Sequence, residues 1–140
     1  MRAFGICAAL SALAVGGCGT GTVTVSDTAH PPRTAAERAA VDAVRAYDLA
    51  IRRDDAAAAC RSVGGAELDA FRCRTRPSIP ADRRSRLADP ADLRVSMNDS
   101  PTGWIFLSGA AAGRDIGLHY KVSRARGAQR VTRVDVGVTR

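Results

Sequence analysis

From Thr34 to Cys60, apolar and charged side chains alternate with the period of a helix. Ala40, Val41, Val44, Tyr47, Leu49 and Ile51 follow one another mostly at spacings of three and four, with Asp42, Arg45, Asp48, Arg52 and Arg53 between them. At 3.6 residues per turn this makes one apolar stripe beside a charged flank, broadened by Tyr47 and Leu49. Thr34, with Glu37 three residues later, has the form of a capping box and sets the start. The pattern weakens at Arg53-Asp54-Asp55, where either aspartate can cap a shorter helix through Ala56 to Arg61, until Gly64-Gly65 break it. A third short helix is predicted from Ala66 to Phe71, with Leu68 and Phe71 as its apolar contacts.

Between Arg74 and Asp92, Pro77, Pro80 and Pro90 exclude a long regular element and leave one or two exposed helical turns over residues 82–88. The period then changes to two. Leu93, Val95 and Met97 alternate with Arg94 and Ser96 as a half-buried strand, and Asn98 to Gly103 is a strong turn. Trp104 to Ala112 is apolar on both faces, which predicts a central strand with Trp104 in the core. Ile116, Leu118, Tyr120 and Val122 give a third strand with one apolar face. Thr132, Val134, Val136 and Val138 line one side of a fourth, running from Arg130 to Val138. Short turns between successive strands make an antiparallel meander. A helix with a single apolar face needs a cover, so the chain predicts an α+β fold with N-terminal helices packed on an antiparallel sheet.

The leader changes the picture of where this domain works. Met1-Arg2 and the apolar run from Ala3 to Val15 fit a signal peptide, being too short and too weakly flanked for a spanning helix. The end of that run, Val15-Gly16-Gly17-Cys18, resembles the bacterial lipobox. The resemblance implies cleavage before Cys18 and a diacylglyceryl group on its sulfur. That makes residues 1–17 a lipoprotein signal peptide and residues 18–33, small, polar and closed by Pro31-Pro32, a tether. Residues 34–140 form one domain anchored at the extracytoplasmic face of the cell membrane without crossing it. The 123 residues after the leader suffice for one core and not for two. Cys60 and Cys73 remain, and two cysteines in an exported domain are expected to pair as a disulfide.

Charge narrows the partners only a little. Lysine and arginine number 21 against 14 acidic residues, a net charge of +7, and every basic residue but Lys121 is an arginine. They are scattered, so the positive field bears on solubility and association first. The densest group, Arg74, Arg76, Arg83, Arg84 and Arg86, is the best candidate for an anion contact. An exported chain has no expected nucleic-acid role, and no phosphate loop, metal-ligand spacing or cofactor motif is present.

The order of elements, with Asp54-Asp55-Ala56-Ala57-Ala58-Ala59-Cys60 opening the second helix, resembles the NTF2-like, cone-shaped α+β domains, and within them the small actinobacterial lipoproteins. The last strand departs from that pattern, since Gly127-Ala128-Gln129-Arg130 leads into it without a tryptophan. The resemblance implies a curved sheet, a pocket between sheet and helices and, in some members, homodimers formed through the sheet. The pocket lining here would come from Val44, Tyr47, Asp48, Ile51, Phe71, Trp104, Phe106 and Tyr120.

Some such pockets carry out isomerase-like or dehydratase-like chemistry, which needs an acid or base held in an apolar cavity. Tyr47, Asp48, Asp99, His119 and Asp135 are the candidates. His119 and Asp135 fall on one sheet face, together with Lys121, Ser123 and Arg133, and that face reads as the solvent face. The sequence therefore favours a lipid-anchored binding or accessory domain for an unidentified small molecule or envelope protein. The alternatives are a small pocket enzyme and an envelope interaction protein without a small-molecule site.

Overall fold

The computed structural model describes residues 29–99, 101–111 and 116–138; Cys18, the expected leader and most of the expected tether lie outside them, as does the Gly113-Arg114-Asp115 connection. Helix α1 spans Ala35–Arg52, α2 Ala56–Ser62 and α3 Ala66–Ala70. The strands are β1 (Arg94–Asp99), β2 (Trp104–Ala110), β3 (Ile116–Ala125) and β4 (Ala128–Val138). Single 3-10 turns occupy Ala81–Arg83 and Pro90–Asp92. The four strands form one antiparallel sheet in the order β1-β2-β3-β4.

Helix α1 begins as the sequence predicts. Thr34 accepts the Glu37 N–H at 3.1 Å, and the Glu37 carboxylate accepts the N–H groups of Thr34 and Arg33 at 3.1 and 2.7 Å. The Asn98 amide adds a further bond to Glu37 at 2.9 Å and ties the helix start to the end of β1. Burial works against the charge of Glu37, yet these donors and the neighbouring His30 outweigh it and hold its carboxyl below the usual range. Asp55 caps α2 by accepting the Ala58 N–H at 2.8 Å. Cys60 and Cys73 form the expected disulfide, which staples α2 to the chain leaving α3.

Across the sheet, Val95, Leu107, Tyr120 and Val134 stand in register as one buried row, and Ile105, Val122 and Val131 make a second. Ala40, Val44, Tyr47 and Ile51 of α1 complete the core over these rows.

Four expectations about faces require correction. A bulge between Val95 and Met97 turns Met97 outward, leaving it 52 % exposed rather than in line with Val95. A second irregularity pairs Val122 with Val131, so Val131 is buried while Thr132 is only half-buried. Trp104 is exposed, because the core frame of β2 is set by Ile105 and Leu107, and a period of two sends Trp104 and Phe106 to the other face. Leu49 lies about 100° round the helix from Asp48 and is exposed, whereas Asp48 faces the core.

Candidate functional site

Asp48 is the group that needs explaining, since a carboxyl at 1 % exposure has lost nearly all contact with water. It follows Tyr47 on the core side of α1, one turn before Arg52. The segment between the two 3-10 turns passes in front of it as a strap. There Oδ2 of Asp48 accepts the Ala88 N–H at 3.1 Å, and Oη of Tyr120 on β3 accepts the same N–H at 3.2 Å. Arg52 donates to the Ala88 carbonyl at 3.0 Å, so one residue of the strap is held through both of its backbone groups. Ala88 also bridges Ala111, and the Asp89 N–H reaches the Ala110 carbonyl at 3.0 Å. Gly109 makes the close approach possible: a Cβ there would stand 3.2 Å from Leu93 and 3.3 Å from Ala88.

Behind the strap the ring of Tyr47 meets Phe71 and Tyr120 edge-on, at centroid distances of 5.9 and 6.4 Å. All three rings are fully buried. Burial pushes both phenols far above their ordinary range and keeps them protonated. Burial likewise raises the Asp48 carboxyl to about 7, against the opposing pull of the Ala88 N–H, Arg52 and Tyr120. Oδ1 of Asp48 and Oη of Tyr47 have no hydrogen-bond partner among the described residues. Beside this cluster the buried Glu67 of α3 receives Arg83 as a fork, at 3.1 and 2.8 Å, which fixes the loop after the disulfide. That hydrogen bonding outweighs burial and raises the Arg83 guanidinium.

Val44, Tyr47, Asp48, Ile51, Phe71 and Tyr120, six of the residues expected to line a pocket, come together here; Trp104 and Phe106 lie on the opposite face of the sheet. Of the other acid–base candidates, Asp99 is in the β1–β2 connection and accepts from Thr102 at 2.7 Å. His119 and Asp135 are cross-strand partners, but Asp135 is exposed and bonded to Arg133 at 2.9 Å. Glu67 and the strap residue Ala88 were not singled out in the sequence, and Arg83 only as one of the arginines offered for an anion contact. A buried glutamate in a five-residue helix and an arginine sixteen positions later carry no periodic signal that joins them.

Four of the five arginines of residues 74–86 stand beside acidic side chains. Arg83, Arg84 and Arg86 are paired with Glu67, Asp54 and Asp82, and Arg74 stands 4.0 Å from Asp69. Open grooves lie elsewhere among the described residues. One of about 540 Å³ separates the first half of α1, from Ala36 to Ala43, from the tip of the β3–β4 hairpin. Smaller ones of about 270 and 240 Å³ lie beside His119 and beside Leu49. Among the described residues no group of three or more His, Cys, Asp or Glu side chains is placed to hold a metal ion, and no helix is long and apolar enough to cross a membrane. Comparison with protein-family models, with curated proteins and with solved structures finds no match for this chain.

Proposed function

We propose that this chain is a lipid-anchored extracytoplasmic domain of the NTF2-like type that acts as a binding or accessory module through its surface. The anchor reading rests on Val15-Gly16-Gly17-Cys18 after an apolar run, followed by a polar tether. A disulfide in the folded domain suits the oxidising side of a membrane. The NTF2-like reading rests on the element order, three helices and then an antiparallel meander with α1 laid across it. The observation that favours a surface role is the packing of Tyr47 against Phe71 and Tyr120 where the pocket of such a domain would open.

The direct test is metabolic labelling with a palmitate analogue in a bacterium that matures lipoproteins, combined with protease treatment of spheroplasts. Wild-type protein is expected to take up label, pellet with membranes and be cleaved from outside. Cys18→Ala is expected to lose the label and the membrane association. A wild type without label, recovered in the cytosol, overturns the anchor.

One feature favours a pocket enzyme as the second reading. Asp48 has a free carboxyl oxygen and a proton affinity near neutrality, as a general acid or base requires. Chemistry at Asp48 would require the strap at Ala88 to lift. Saturation of a small-molecule library by ligand-observed NMR separates the two readings. Binding that Asp48→Asn abolishes and Trp104→Phe leaves intact supports the enzyme.

A further inference from the structure

The helices pack on the sheet face that carries Val95, Leu107, Tyr120 and Val134. On the other face, register places Met97 beside Phe106 and Phe106 beside Lys121, with Asp99, Trp104 and Ser123 as the next row. Met97 and Trp104 are 52 % and 40 % exposed. Nζ of Lys121 sits 3.3 Å from the centroid of the Trp104 ring. Arg94 is exposed at the far end of β1, Arg133 stands opposite Lys121, and Arg126 tips the adjoining hairpin. The carboxylates of this face, Asp99 and Asp135, already accept from Thr102 and Arg133. An indole and a thioether projecting among cations is the composition of a surface that rests at the headgroup level of a bilayer.

The tether supplies the second argument. Ala29 and His30 run along the free edge of β1, where His30 donates to the Val95 carbonyl at 3.0 Å and accepts the Val95 N–H at 2.8 Å. Residues 18–28 are all that separate this edge from the expected lipid, and even fully extended they span no more than about 40 Å. The anchor therefore holds the strand that carries Met97 within about one domain diameter of the membrane.

We infer that the outer sheet face, centred on Trp104, Met97 and Lys121, docks on the anionic headgroup surface of the bilayer that receives the lipid anchor. The inference rests on the anchor reading above. A bilayer suits this face better than a second copy of the chain, because a two-fold interface would set its cations against themselves.

Trp104 is the single tryptophan, so its emission reports on this face alone. The full-length lipidated protein is reconstituted in phosphatidylcholine vesicles with and without phosphatidylglycerol, using brominated acyl chains as quencher. With phosphatidylglycerol present, the emission is expected to shift to the blue and to fall about twofold, and high salt is expected to reverse both. Lys121→Gln, which removes one half-buried charge, is expected to weaken the phosphatidylglycerol-dependent component about fivefold with an unchanged circular dichroism spectrum. Protein that floats with the vesicles while Trp104 stays solvent-like and unquenched overturns the docking and leaves the anchor standing. A blue shift that follows protein concentration and ignores lipid charge assigns the face to a second copy and also overturns it. Protein that does not float overturns the anchor reading and the docking with it.

Discussion

Asp48 sets the pH response of the fold. Its carboxyl titrates near 4 in the unfolded chain and at about 7 in the folded one, so between these values the native state holds a proton that the unfolded state has released. Stability from this group is therefore fully present below about pH 4, declines as pH rises through 7 and is flat above. Asp48→Asn keeps the acceptor for Ala88 and removes the charge. Urea unfolding at pH 5 and pH 8 is expected to show a fall in wild-type stability of a few kcal/mol, and a mutant without that fall. An equal slope in both proteins would mean that Asp48 is not the group responsible.

Arg83 is the complementary case, since its charge is retained by a partner. Arg83→Met alone leaves Glu67 buried without its fork and is expected to cost about 3 kcal/mol. The double variant with Glu67→Leu is expected to recover most of that loss, and denaturant midpoints of the two variants measure the difference. Asp48 and Glu67 differ in how far the sequence exposes them. Asp48 falls beside an apolar stripe, which made it a candidate, whereas nothing near Glu67 points to Arg83.

At the scale of elements, α1 and the four strands are written plainly in the chain, and the faces of the strands are not. The capping box of Thr34 and Glu37 needs only four consecutive residues, which is why it can be read directly. A bulge depends on two strands at once, and each of the two here redirects side chains that simple alternation assigns elsewhere. Met97 thereby becomes exposed and Val131 becomes core.

The disulfide belongs to this scale as well, because it joins α2 to the irregular chain after α3 across thirteen positions. Cys60→Ala with Cys73→Ala is expected to lower stability by about 3 kcal/mol, seen as an earlier denaturant midpoint, with the transition still cooperative. A larger part of the loss should fall on residues 71–83, since Glu67–Arg83 is their other main tie.

For the whole molecule, one core joins α1 to all four strands, while the strap rests on it through Ala88 and the contact at Gly109. Hydrogen exchange under native conditions is expected to be slowest in β2 and β3, each of which has a strand on either side, and in the buried turns of α1. It is expected to be clearly faster over residues 84–92, whose amide bonds, apart from those of Ala88 and Asp89, are local turns rather than ties to the sheet. Uniform protection across the strap and β3 would mean that the strap is part of the core and not a layer over it.

By itself the sequence determined the helix starts, the disulfide partners, the strand order and the α+β class, and it supplied the expectation of a lipid anchor. Each of these depends on neighbours within about a dozen positions, or on a count of cysteines. Tertiary structure alone decided that Ala88 closes the cluster around Asp48, that Glu67 and Arg83 meet, and that Trp104 and Met97 look outward. Those outcomes turn on which residues of separate strands and loops reach the same point in space, and the period of a single segment carries no information about its partner's register.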